Sequence, residues 1–134
     1  MNVALHDATK SGDIENVVAL IDAGANIDDL DKYNQTPLMN AARLGHTALV
    51  RELITRGADL NSTAKWRFTA LMYAILCYQE DAACILIEAG AELSIYGGKA
   101  NRYYCGKTAL DLAKEREQER VVALLKRSGG SFFK

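Results

Sequence analysis

Gly24-Ala25, Gly57-Ala58 and Gly90-Ala91 stand 33 residues apart, twice in succession. The same 33-residue interval separates Leu5, Leu38 and Leu71, then Ala8, Ala41 and Ala74, then Leu20-Ile21, Leu53-Ile54 and Leu86-Ile87. After Gly90 the register slips. Leu110, Ala113 and Leu125 fall 39 residues beyond Leu71, Ala74 and Leu86, so six additional residues lie between Gly90 and Leu110. A fixed period of this length marks a solenoid, in which each unit buries its apolar face only against its neighbours. The chain therefore reads as one domain, 1–134, of four units: an N-terminal cap at about 1–29, units at 30–62 and 63–95, and a C-terminal cap at 96–130 that carries the insertion. Residues 131–134 form a tail.

Each unit reads as two short helices and an extended link. In the second, Thr36 is a good N-cap, and Pro37 follows at the first helical position, where its missing N–H costs nothing. Leu38, Ala41 and Ala42 give a small apolar face, and Gly45 can end the helix at positive φ. Leu49, Val50, Leu53 and Ile54 then recur at helical spacing until Gly57 closes the second helix.

The stretch from Asp31 through Asn61, with its Thr36-Pro37-Leu38-Met39 step, its Gly45-His46 turn and its Gly57-Ala58-Asp59-Leu60-Asn61 ending, resembles the ankyrin repeat. The resemblance runs from about residue 3 to residue 129. It implies an all-α solenoid of four helix-turn-helix units with β-hairpin fingers, an L-shaped stack with a concave binding surface, in a small stand-alone protein. Met39 and Met72 depart from the family's histidine, and Ala70 and Ala109 from its proline. Tyr78 stands where the earlier units carry Gly12 and Gly45.

Composition narrows the chemistry. With 134 residues, 49% of them hydrophobic and 25% charged, the chain can bury one sizeable core, and its net charge of −1 demands neither nucleic acid nor an anionic membrane. No apolar run reaches the roughly 18 residues that would span a bilayer, and Met1 leads no basic, then apolar, leader. Three cysteines without a CxxC spacing argue against a disulfide framework and a zinc site and favour a reducing, cytoplasmic location. A periplasmic or secreted location would require a leader already removed. His6 and His46 lie in no catalytic spacing with serine or cysteine. Gly97-Gly98-Lys99 lacks the rest of a phosphate loop. The carboxylates are scattered, and Cys105, near Lys107, is the one thiol set among basic residues. No enzyme activity, cofactor or metal is expected.

Binding is better supported. Tyr33 and Trp66 occupy the same place in successive fingers, with Phe68 two residues on; they either meet a partner or pack against neighbouring fingers. The insertion brings Tyr96, Lys99, Arg102, Tyr103 and Tyr104, residue types enriched in interfaces, on a loop of the kind that solenoids use for binding. Residues 1–31 carry a net −6, leaving +5 for the rest, and the finger charges run from Asp28, Asp29 and Asp31 to Lys65 and Arg67, then Lys99, Arg102 and Lys107. Such a gradient would orient a complementary partner. The expected role is that of a monomeric protein-binding module contacting its partner through Tyr33, Trp66, Phe68, Tyr96, Lys99, Arg102, Tyr103 and Tyr104, with Arg43 and Leu44 lining the inner-helix end of the groove. By analogy with small ankyrin inhibitors, the partner is an enzyme whose site is covered. An adaptor fragment of a larger protein is the alternative, and nucleic-acid binding by the basic fingers is disfavoured by the acidic first unit. Phe132-Phe133 would either fold onto the last unit or anchor a partner.

Overall fold

In the computed structural model, which describes residues 1–99 and 101–128, each of four helix pairs begins on a side chain that caps it. Asn2 accepts from the Leu5 N–H, Thr36 from Met39, Thr69 from Met72 and Thr108 from Asp111. These bonds satisfy amides that a first helical turn leaves unpaired. They open the inner helices α1 (Val3–Ser11), α3 (Pro37–Leu44), α5 (Ala70–Leu76) and α7 (Ala109–Glu115). Each inner helix packs on the outer helix that follows it: α2 (Ile14–Asp22), α4 (Thr47–Thr55), α6 (Glu80–Glu88) or α8 (Glu119–Arg127). Where the family's histidine is missing, the Met39 sulfur accepts the Thr36 N–H at 3.5 Å and completes a reciprocal cap.

The turn inside each pair is the same four times. Gly12, Gly45, Tyr78 and Glu117 donate their N–H to the carbonyl three residues back, and the next residue donates to the carbonyl five back. All four lie in the left-handed region, at φ 74°, 78°, 58° and 56°. Tyr78 and Glu117 thus close their helices as the glycines do, against the steric preference of a residue with a Cβ.

Inner helices stack on inner helices, α1 on α3 on α5 on α7, and outer on outer, α2 on α4 on α6 on α8. The periodic columns supply the contact: Leu5, Leu38 and Leu71, with Ala8, Ala41, Ala74 and Ala113, are buried between inner helices. Leu53, Leu86 and Leu125 are buried beneath the outer layer. Alanine at the crossing lets neighbouring axes come close. Polar ties join one pair to the next. His46 Nε2 donates to the Lys10 carbonyl at 2.9 Å, and Gln118 Nε2 donates to the Ile75 carbonyl at 2.7 Å. Asp28 accepts the Asp59 N–H at 3.0 Å, and one period on Asn61 accepts the Glu92 N–H at 2.7 Å.

The β-hairpin fingers implied by the family resemblance do not form. Among the described residues there is no β-strand, only two isolated bridges, Tyr96 with Thr108 and Gly97 with Cys105. A few backbone bonds close the tips instead: the Asp31 N–H to the Gln35 carbonyl at 3.0 Å, the Ala64 N–H to the Phe68 carbonyl at 2.8 Å, and, around the insertion, the Gly97 N–H to the Lys107 carbonyl at 2.9 Å with the Gly106 N–H returning to the Gly97 carbonyl at 3.0 Å. The cause is local. In the first tip, the Asp31 carboxylate takes the N–H groups of Tyr33 and Gln35, which a paired strand would otherwise engage. In the second, Trp66 and Arg67 both lie at φ 62°, outside strand geometry, within the 3-10 turn Lys65–Arg67.

Candidate functional site

The second and third tips are joined. The Trp66 carbonyl accepts the Gly98 N–H at 2.8 Å, and the Arg67 guanidinium lies 5.1 Å from the Tyr96 ring centre. The left-handed pair Trp66-Arg67 forms this junction at a cost of about 1–2 kcal/mol per residue. Aromatic packing underneath offsets that cost. Phe68, 3% exposed, meets Trp66, Tyr104 and Tyr73 edge-on at 5.7, 4.9 and 5.5 Å between ring centres. Trp66 stacks on Tyr104 at 6.4 Å, and Tyr103 meets Tyr104 edge-on at 4.8 Å. Such pairs contribute about 0.5–1.5 kcal/mol each beyond area burial. Phe68 is therefore covered and supports the tips from below, which removes it from any contact surface. Trp66 and Tyr104 are half-buried, whereas Tyr33, Tyr96 and Tyr103 are exposed.

The insertion folds back on α7. Tyr103 donates its hydroxyl to Glu115 Oε1 at 2.9 Å, and Lys107 Nζ donates to the same oxygen at 2.9 Å while lying 3.7 Å from the Tyr103 ring centre. The Lys107 ammonium, with the Tyr103 hydroxyl second, holds the Glu115 carboxyl below the usual carboxylate range. Gly97 allows the loop to close, because a Cβ there would overlap the Tyr104 carbonyl oxygen. Lys99 and Arg102 are exposed on this loop. Phe132 and Phe133 lie outside the described residues.

Between the first two tips is an open cleft of about 510 Å³ lined by Lys32, Tyr33, Asn34, Gln35, Lys65, Trp66 and Tyr73. Lys32 Nζ lies 5.2 Å from the Tyr33 ring centre and Lys65 Nζ 5.0 Å from that of Trp66, so each aromatic carries an ammonium on it. Gln35 Nε2 donates to the Tyr73 hydroxyl at 3.4 Å. Burial pushes the Tyr73 phenol up. Asp31 fixes this tip from inside. It accepts from Asn40 Nδ2 at 3.0 Å and faces Lys10 Nζ at 3.8 Å, in addition to the two backbone amides. Its burial acts to raise its pKa, but the Gln35 N–H, the Asn40 amide and the Tyr33 N–H together hold the carboxyl below its ordinary value.

Arg43 and Leu44 stand apart from the tips. They end α3, an eight-residue helix, about 12 Å of helix away from its start. Arg43 donates to Asn40 Oδ1 at 3.1 Å, and Leu44 is exposed. Sequence reasoning missed Lys32, Gln35 and Tyr73 in the cleft. A signal was present: Lys32-Tyr33 and Lys65-Trp66 repeat a lysine–aromatic pair one period apart. The expected charge gradient also changes. Asp28 holds the Asp59 amide, Asp29 accepts the Asn2 N–H at 2.7 Å and faces His6 Nε2 at 3.0 Å, and Asp31 is buried. All three acidic residues of the first unit's end are engaged by hydrogen bonds, Asp31 buried and Asp28 and Asp29 half-buried, and its tip presents Lys32.

A second cleft, about 380 Å³, lies on the outer helices and holds none of the expected contact residues. Among the described residues, no group of three or more histidine, cysteine, aspartate or glutamate side chains is placed to hold a metal ion. No helix among them is long and apolar enough to cross a membrane.

Residues 5–97, well over half of the chain, match the family profile described as ankyrin repeats in three copies. A 42-residue stretch, 31% of the chain, is 43% identical to the ankyrin repeat-containing protein YIL001W of Saccharomyces cerevisiae and covers 8% of that protein's length.

Proposed function

Because the chain belongs to the ankyrin-repeat family, a non-catalytic family of protein-interaction domains, we propose that it docks on one partner protein through its row of tips and regulates that partner sterically. The family's role is generic protein binding; the choice of surface and mechanism is our own reading. It rests on one observation above the rest: aromatic packing and left-handed backbone hold Trp66, Tyr103 and Tyr104 in place, and Tyr33 and Tyr96 stand exposed on the same run of tips. Exposed tyrosine on a rigid support loses little entropy when it binds. The contact set is Tyr33, Trp66, Tyr96, Lys99, Arg102, Tyr103 and Tyr104, with Arg43 and Leu44 as a separate edge. The helix pairs are read as units at 1–29, 30–62, 63–95 and 96–130, the last lying almost wholly beyond the matched residues.

Photo-crosslinking tests the docking surface. Benzoylphenylalanine in place of Tyr33 or Tyr96 should trap the same protein from extracts of the source cells, and the same label in place of Arg51, on the outer helices, should not. Adding the purified chain should then lower the turnover of that protein if it is an enzyme. Trapping without any effect on turnover would leave docking in place and remove steric inhibition. An adaptor role within a longer protein is the second reading, favoured by the small share of the yeast relative that the match covers.

A further inference from the structure

The three tip segments, 31–35, 64–68 and 97–107, contain the cations Lys32, Lys65, Arg67, Lys99, Arg102 and Lys107 and one acid, Asp31, which is buried and bonded. Among the described residues, the ion pairs bind Lys107 to Glu115, Lys10 to Asp31, Arg56 to Asp22 and Glu52, and Arg120 to Asp81, with His6 beside Asp29. None of them reaches Lys32, Lys65, Arg67, Lys99 or Arg102. Three of these five lie over the tip rings, and a carboxylate entering the row would meet ammonium and guanidinium groups already positioned.

We infer that the occupant of the tip row is an extended acidic segment of a partner protein, with one carboxylate bridging Lys32 and Lys65 across the first cleft. This rests on the tip row being the docking surface. Charge complementarity carries it: tip segments with five cations outside any ion pair and no exposed acid of their own, the nearby Glu115 being held by Lys107 and Tyr103, meet their match in carboxylates, which steer encounter and fix register. The repeat sets the spacing. Inner helices packed at about 8–10 Å carry successive tips at a similar interval, which is about three residues of extended chain at ~3.3 Å each. Acidic side chains every third residue would therefore meet successive tips. Single-stranded nucleic acid also combines negative charge with stacking, but the Trp66 ring already bears Lys65 and Tyr104 and does not offer the open face that a base needs.

Trp66 is the single tryptophan, so its emission reports on the cleft directly. The full chain is titrated with four probes of matched length: an unlabelled peptide with glutamate at every third position and serine and leucine between, its lysine counterpart, its glutamine counterpart, and oligothymidylate. The glutamate peptide should shift Trp66 emission saturably, and raising salt should weaken it steeply. The double reversal Lys32→Glu/Lys65→Glu should weaken it by about tenfold or more, whereas Arg51→Glu/Arg127→Glu, an equal change of net charge on the outer helices, should leave it within about twofold. If the glutamine or lysine peptide binds the tips more tightly than the glutamate peptide, the tip row remains a docking surface and the acidic occupant is wrong. Tighter binding of oligothymidylate overturns the proposal in favour of nucleic acid. Equal weakening by both double reversals would show attraction to net charge alone and overturn it too. Silence of all four probes at Trp66 removes the acidic occupant, and the Tyr33 crosslink then decides independently whether the tips dock at all.

Discussion

Asp31 is buried yet ionised, and it meets the Tyr33 and Gln35 amides, the Asn40 side chain and, at longer range, Lys10. Asp31→Asn removes the charge from these bonds and turns an amide donor toward donors. The expected loss is about 1–3 kcal/mol at neutral pH, read by urea unfolding. The folded-state pKa of Asp31 is lowered, so its stabilisation is present above the unfolded value of about 4 and is lost as pH falls through the folded value. The gap between wild type and Asp31→Asn should therefore close in acid; a constant gap would mean that the carboxylate charge contributes nothing. Gly97 gives a second test. Its alanine variant meets a backbone oxygen that cannot swing aside, so the insertion must open and release the Gly98 bond to Trp66. Gly97→Ala should cost about 1–3 kcal/mol and shift Trp66 emission, whereas Gly24→Ala, in open space, should show only left-handed strain of about 1 kcal/mol. Little of this was legible beforehand. Asp28, Asp29 and Asp31 read as a free acidic end because composition records charge and is blind to what the charge is bonded to.

At the level of elements, the helices were legible because a 33-residue period fixes which leucines and alanines face a neighbour, and each inner helix carries its cap and its stop locally. The tips were not, because a hairpin depends on which backbone groups find partners. Here the Asp31 side chain and the left-handed Trp66-Arg67 pair take over that role. The inter-helix turns show how geometry outlasts residue type: Tyr78 and Glu117 make the same two closing bonds as Gly12 and Gly45. Glu117 is exposed, so Glu117→Gly should raise stability by about 0.5–1 kcal/mol, the relief of left-handed strain less the entropy of a glycine in the unfolded chain. A melt of that variant at lower temperature than wild type would show that Glu117 has a compensating contact. The same change at Tyr78 is a poorer test, since the Arg116 guanidinium lies 5.6 Å from its ring centre.

Across the whole molecule, each helix pair packs mainly on the pairs beside it, so stability is close to a sum of neighbour terms and need not fail all at once. Leu71 and Leu125 separate the two cases. Leu71 is buried in α5, which packs on α3, α6 and α7, in the middle of the stack; Leu125 is buried in α8, which packs mainly on α6 and α7. Truncating either to alanine removes a similar volume and should cost about 2–5 kcal/mol locally. In Leu125→Ala that loss falls on the last pair, which can open while the rest stays closed, because no helix among the described residues depends on α8 from its far side. Hydrogen–deuterium exchange should show protection falling in α7 and α8 and holding in α1 through α4, with Trp66 emission unchanged at rest. In Leu71→Ala the interface carrying both the first cleft and the Phe68 cluster is weakened, so protection should fall from α3 through α8 and the Trp66 signal should move with it. If Leu125→Ala instead lowers protection evenly along the chain, the four pairs unfold as one unit. A partner gripping the tips would then stabilise the far outer helices as strongly as the cleft it touches.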